Sequence, residues 1–181
     1  KRVYVYLYLE REGNNRAEGI VGFLPEEKRE VRFTGQFNLQ LSNLLKRGEN
    51  IVVDWKSLEE NSQELYLNLD FPFLFLRTLG MNADFELYRK DTTFLTRTIR
   101  VGLPFFIDAN TRFEIFGDFK SSSLISQSAK NSTRYEAYQK RLYGIRYSYK
   151  HLDYRLNPSK GIELELFGSL GKKNNRHQEG T

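Results

Sequence analysis

Residues Val31–Asn43 read VRFTGQFNLQLSN. From Val31 to Leu41 every odd position is apolar or glycine: Val31, Phe33, Gly35, Phe37, Leu39 and Leu41. From Arg32 to Ser42 every even position is polar: Arg32, Thr34, Gln36, Asn38, Gln40 and Ser42. Successive side chains of a strand point to opposite faces, so a period of two makes this a β-strand with one apolar and one polar face. Such an apolar face has two possible destinations. It packs on the core of a soluble sandwich or barrel, or it meets the hydrocarbon of a bilayer.

The same period recurs along the chain. Leu65, Leu67, Leu69, Phe71 and Phe73 alternate with Glu64, Tyr66, Asn68 and Asp70, and Leu79, Met81, Ala83, Phe85 and Leu87 alternate with Gly80, Asn82, Asp84, Glu86 and Tyr88. Tyr143–Lys150 and Ile162–Leu166 repeat it, and Arg16–Phe23, Asn50–Lys56, Phe94–Leu103 and Arg112–Lys120 are compatible with it. The expectation is about nine strands of roughly eight to ten residues, with a further strand at Val3–Glu10. The best candidate helix, Ser128–Arg141, lacks a continuous apolar stripe.

The connections fall into two alternating sets. Asn43–Glu49, Pro72–Thr78, Pro104–Thr111 and His151–Gly161 carry Pro, Gly or Asn turn chemistry. Leu24–Glu30, Ser57–Ser62, Lys90–Thr93 and the long Ser121–Lys140 are charged or Ser-rich. Consecutive hairpins put alternate connections at opposite ends of a sheet, so one end is expected to carry compact turns and the other longer polar loops. Transmembrane barrels have that asymmetry.

Composition narrows the choice. The 181 residues include no Cys, which excludes disulfides and thiolate chemistry, and 14% are aromatic. No segment approaches the ~20 consecutive apolar residues of a spanning helix, which leaves β-barrel insertion open because barrel strands are only half apolar. The chain opens at Lys1 on strand-like sequence without a signal-peptide pattern. That reads as a cytoplasmic protein or as an internal piece of a processed chain. The net charge of +5 arises from 28 basic and 23 interspersed acidic residues, so the tail Lys172–His177 reads as a solvated loop and no nucleic-acid partner is expected.

The polar face favours the bilayer. Gln36, Asn38, Gln40, Asn68, Asp70, Asn82, Asp84, Glu86 and Arg100 suit a hydrated lumen in which charges find partners. The apolar face is rich in Leu and Phe. Trp55 lies near the loop end of its strand, and Phe71, Phe73, Tyr147 and Tyr149 lie near the turn end, as in an aromatic girdle. A strand of ~10 residues tilted by ~45° spans roughly 25 Å, the height of an outer-membrane apolar band. Arg97 counts against this reading, since it sits on the apolar register, but near the loop end it can snorkel.

No catalytic, cofactor-binding or metal-binding arrangement is present in the sequence, which lacks a phosphate loop and a nucleophile elbow. His151 and His177 fall in a turn and a polar tail and give no shared site. Glu163 and Glu165, two apart on one strand face, read as lumen charge balance rather than paired-carboxylate catalysis. Asn131-Ser132-Thr133 fits a glycosylation pattern inside the long polar loop, where the plain reading is a flexible segment.

The order of these motifs resembles the start of the barrel in the BamA superfamily, the POTRA-bearing outer-membrane insertases that include TamA-like proteins. VYVYLYLEREGNN resembles the final strand of the last POTRA domain and its link; RAEGIVGF resembles the first barrel strand; FTGQFNLQLSNLLKRGENIVVDW resembles the second hairpin with its Asn43, Leu44 and Gly48 turn. SQELYLNLDFPFLF resembles a strand ending in an aromatic-Pro-aromatic turn around Pro72, and LYGIRYSYKHLDYRLNPSKGIELEL a mid-barrel hairpin with Asp153, Pro158 and Gly161. The resemblance covers about Val3 to Gly171.

It implies an all-β fold: an antiparallel transmembrane β-barrel of about sixteen strands, of which residues 14–181 supply roughly the first nine and residues 1–13 the end of a POTRA domain. Bacterial barrels have even strand counts, so the chain reads as part of a longer protein. The implied function is outer-membrane protein assembly in a Gram-negative-type bacterium. Its partners are the outer-membrane bilayer, unfolded outer-membrane clients and accessory periplasmic lipoproteins, with no cofactor and no enzymatic step. The implied lateral seam lies at Arg16, Ala17, Glu18, Gly19, Ile20, Val21, Gly22 and Phe23, with Pro25 shortly after. There glycine weakens strand packing and proline removes a ladder donor. A transport barrel of the same superfamily, of the two-partner-secretion type, is the alternative; a porin-like or soluble ligand-binding barrel is the third. For the glycines, a bulge or close-packing site in an ordinary barrel is an equal reading.

Overall fold

The computed structural model describes residues 15–25, 31–57, 62–74, 76–90, 93–125, 137–154 and 157–176. They form nine strands: β1 Arg16–Pro25, β2 Val31–Ser42, β3 Asn50–Ser57, β4 Gln63–Phe71, β5 Met81–Lys90, β6 Phe94–Phe106, β7 Thr111–Leu124, β8 Ala137–Leu152 and β9 Gly161–Arg176. All belong to one antiparallel sheet in sequence order, so every connection is a hairpin between neighbours. Among the described residues there is no helix. The expected strand at Val3–Glu10, the segment 1–13 and the Asn131–Thr133 pattern lie outside the described residues.

The strands β6 to β9 are longer than their alternation suggested. Ser121 to Leu124 belong to β7 and Ala137 to Lys140 to β8, which shortens the long polar connection to residues 125–136. Lys172–Arg176 is the end of β9, not a loop, and Lys173 Nζ lies 5.1 Å from the centre of the Tyr138 ring. These extensions share a cause. Their two faces are both largely polar, so the period of two disappears although the ladder continues. Pro104 is likewise a strand residue rather than the start of a turn, and it is almost fully buried. Its missing N–H falls on the β5 side, where only the Leu79–Phe105 bridge remains; its carbonyl accepts from Gly80 N at 2.8 Å.

The register sets the geometry of the two faces. Starting from Ala17 at the beginning of β1, successive ladder partners are Leu39, Val53, Leu67, Phe85, Ile99, Phe119, Arg141 and Lys172. This row begins at the turn-side edge of the apolar run on β1. It ends on β9 beyond the loop-side edge of the apolar run, whose turn-side edge is Ile162, ten residues from Lys172. The apolar band therefore drifts about ten residues over the eight strand steps of the sheet. At ~3.4 Å per residue and ~4.8 Å per strand, the strands cross the band at about 40°.

Candidate functional site

The polar face holds a connected set of charges. Glu114 on β7 is 2% exposed. It accepts hydrogen bonds from Asn82 Nδ2 on β5 at 2.8 Å, from Arg112 Nη2 at 3.0 Å and from Arg146 Nη1 on β8 at 2.9 Å. Asn82 has room to reach across because Gly102 lies between: a Cβ there would collide with both the Asn82 amide and the Glu114 carboxylate. The Arg146 guanidinium also sits 5.2 Å over the Phe116 ring. One level nearer the loops, Arg100 on β6 bridges Glu86 at 3.0 Å and Asp118 at 3.2 Å. Asp84 accepts from Tyr66 Oη at 3.0 Å and Asn68 Nδ2 at 2.8 Å.

These side chains come from five neighbouring strands, yet all of them except Tyr66 and Glu86 line one cavity of about 530 Å³ with Asp70 and Phe116. The Nε atoms of Arg112 and Arg146 are buried without a hydrogen-bond partner among the described residues. Alternating cations and carboxylates of this kind pair with one another and keep the layer in shape.

The opposite face carries the Leu, Ile, Val and Phe residues and, among the described residues, has nothing packed on it. Ile99 is 44% exposed, Ile115 50%, Ile145 53% and Leu166 58%, and Ala137 is the sole buried hydrophobic residue among those described. Phe37 is exposed, while Leu39, Leu65 and Leu67 are half-buried only by their neighbours in the same layer. Every Asp and Glu of the nine strands lies on the polar face: Glu18, Asp54, Glu64, Asp70, Asp84, Glu86, Glu114, Asp118, Glu163 and Glu165.

The strand of the expected seam, β1, stands at one end of the sheet, and its outer edge has no partner strand among the described residues. Arg16 and Glu18 form an exposed ion pair at 2.7 Å, and Ile20, Val21 and Phe23 are 62–73% exposed. Ala17, Gly19, Val21 and Phe23 share the apolar register, while Arg16, Glu18, Ile20 and Gly22 share the polar one. Gly19 is a close-packing site: a Cβ would lie 2.9 Å from the Gln36 carbonyl and 3.1 Å from the Phe37 ring. Pro25 is the last residue of β1, opposite Val31.

The turn residues fall into three connections on the far end. Asn43 and Gly48 sit in one turn with positive φ (57° and 76°), joined by a 2.9 Å hydrogen bond from Gly48 N to Asn43 Oδ1. Its organising residue is Glu49, which the motifs did not single out. The side chain is 1% exposed and accepts from the backbone N–H groups of Leu45 and, at 3.1 Å, Arg47. Burial pushes its carboxyl upward, but the backbone donors of Leu45, Arg47 and Glu49 itself, with the Arg47 charge, outweigh that and hold it below its ordinary value. Pro72 packs beside Gly48, and Arg47 Nη1 reaches the Leu74 carbonyl at 3.3 Å, so the first two turns brace each other. In the third, Asp153 Oδ1 accepts from Ser159 N and Lys160 N, both at 3.0 Å, with exposed Pro158 between. Gly161 opens β9 at φ 139°, where a side chain would strike the His151 carbonyl.

Sequence reading missed the Glu114 cluster as a unit. Its members alternate correctly on their own strands, but only the register puts Asn82, Glu114 and Arg146 side by side. No family profile, characterised protein or solved structure matches the chain.

Proposed function

We propose that this chain is the first part of an outer-membrane β-barrel that folds and inserts other β-barrel proteins, using β1 as a lateral seam. The observation that carries the membrane part is the partition of charge. Ten strand carboxylates share one face with the arginines that pair them, and the other face is a bare apolar band. A soluble sheet with this face uncovered would expose a large apolar surface to water. A crossing angle of about 40° lies within the ~35–45° strand tilt of transmembrane barrels. The polar face then lines a hydrated lumen, and the apolar one meets lipid.

The assembly role rests on the motif resemblance together with the unpartnered edge of β1. Hydrocarbon demands that backbone donors and acceptors be satisfied, so an edge at membrane depth must be paired by another strand. A client strand can add to that edge by β-augmentation, with backbone hydrogen bonds as the binding energy. The reaction makes and breaks no covalent bond.

Depletion of the full-length protein tests the reading. Loss of many unrelated outer-membrane proteins supports assembly. Loss of one secreted product instead supports a dedicated transport pore, and recovery of a water-soluble folded protein without detergent would sink both.

A further inference from the structure

On the apolar face the continuous apolar run ends on each of seven consecutive strands at a polar residue, with only Leu95 and Ala137 apolar farther toward the loops among the described residues. Going toward the loops, Trp55 gives way to Ser57, Leu65 to Gln63 and Leu87 to Arg89. On the next strands Ile99 gives way to Arg97, Phe119 to Ser121, Tyr143 to Arg141 and Leu170 to Lys172. Of the charged residues on this face of the strands with described side chains, all four are basic: Arg89, Arg97, Arg141 and Lys172. Arg97, Arg141 and Lys172 are exposed. No carboxylate pairs with these three among the described residues, because the strand acids all lie on the opposite face. Their ladder neighbours are Leu87 and Ser121 for Arg97, and Phe119 and Lys172 for Arg141, so that Arg141 and Lys172 neighbour each other. Because strands and band are inclined, these positions descend the register from β5 to β9 just as the band does. They therefore lie at one height above it.

We infer that Arg97, Arg141 and Lys172 form a cationic belt that binds the anionic, phosphate-bearing headgroups of the leaflet on the loop side. The inference rests on the membrane reading above. Charge complementarity and placement both point to lipid. A cation immediately above hydrocarbon meets the phosphate layer, and its aliphatic stem can lie along the apolar band. Ser57, Gln63, Ser121 and, beyond them, Gln139 and Asn174 add neutral donors at the same level. The loop end thus has a built headgroup layer, whereas the apolar runs of β8 and β9 end at the turn side on Tyr147, Tyr149 and Ile162 without a comparable row of cations.

The test uses the full-length protein in vesicles of phosphatidylcholine alone and of phosphatidylcholine with phosphatidylglycerol. Resistance to alkaline urea extraction from the neutral vesicles reads insertion, and fluorescent phosphatidylglycerol retained around the protein reads headgroup binding. The triple variant Arg97→Gln, Arg141→Gln, Lys172→Gln should insert normally in neutral vesicles and lose phosphatidylglycerol enrichment, roughly fivefold for each cation removed. A control variant of the polar face, Lys120→Gln with Lys140→Gln, should retain it. Enrichment unchanged in the triple variant would overturn the belt while leaving the membrane reading intact. Failure of the wild type to resist extraction would overturn the membrane reading itself. Inorganic phosphate binding equally well to the detergent-solubilised protein would assign these cations to a free anion rather than to lipid.

Discussion

The two faces of β7 and β8 meet opposite demands with the same backbone. On one, Glu114 is buried among Arg112, Arg146 and Asn82. On the other, Ile115 and Ile145, each a single residue away, are half exposed with nothing above them among the described residues. In a protein stabilised by a water-shielded core the assignments would be reversed. Here the ordered, ion-paired layer is polar and the layer left bare among the described residues is apolar, as the proposed membrane reading requires if each face meets a different solvent.

The sharpest way to break that comparison is to put a charge on the apolar face. Ile99 gives way to Arg97 at the loop-side edge of the band. Val101, further from that edge, is nearer the middle of the band, and Val101→Arg in the full-length protein should cost about 2–4 kcal/mol when unfolding by urea is followed in lipid vesicles. Gln36→Arg, on the exposed polar face, should change stability by less than ~0.5 kcal/mol. Equal tolerance at both positions would mean that the two faces see the same solvent.

The second test acts on the polar layer. Glu114→Gln keeps the shape but removes the charge shared by Arg112 and Arg146. Loss of a buried partner can cost about 3–5 kcal/mol, but both arginines are more than a third exposed and water takes over part of the carboxylate's role. A loss of about 2 kcal/mol is expected, read from the same urea titration. A double-mutant cycle with Arg146→Gln should show coupling, whereas Glu114→Gln combined with Val101→Arg should be additive, since the two act on different faces.

How much of this was legible before the structure depends on which level is asked. Strand identity was readable wherever the apolar band crosses a strand, because Val31–Leu41 or Leu65–Phe73 must alternate if one face is greasy and the other wet. It faded above the band. Gln139–Arg141 and Lys172–Arg176 remain in the ladder, yet both faces are polar there and periodicity carries no signal. The compact turns were legible from Asn43, Gly48, Asp153 and Gly161. The Glu49 carboxylate that ties the first turn together was not, since an isolated Glu has no local signature. The Glu114 cluster joins β5, β7 and β8 and needed the register. Arg97 looked like a blemish on its own strand and acquired meaning only beside Arg141 and Lys172.

A third, smaller effect tests whether the turn end is rigid independently of the membrane band. Gly48 adopts φ 76°, and Gly48→Ala should cost about 1–2 kcal/mol through left-handed backbone strain, since a new Cβ would only graze the Pro72 ring. The loss should be similar in detergent and in vesicles, unlike that of Val101→Arg. A strong dependence on lipid would place this turn inside the membrane and shift the lower boundary of the band.

The smallest effect is a titration, and its sign comes from the geometry of the third turn. The backbone N–H of Lys160 holds the Asp153 carboxylate below its ordinary value, assisted by Ser159 and opposed by slight desolvation. A group whose folded pKa is depressed stabilises the fold fully above its unfolded value and loses that contribution as pH falls through the folded one. The Lys160 amide resonance should therefore move with a midpoint below the ordinary aspartate value of ~3.9, and Asp153→Asn should abolish the titration. The polar layer around Glu114 should not change with it, because the turn and the cluster share no partner. If the Glu114 neighbours shifted along with Lys160, the turn end and the polar face would be one cooperative unit, and the division between a rigid polar wall and its independent turns would have to be redrawn.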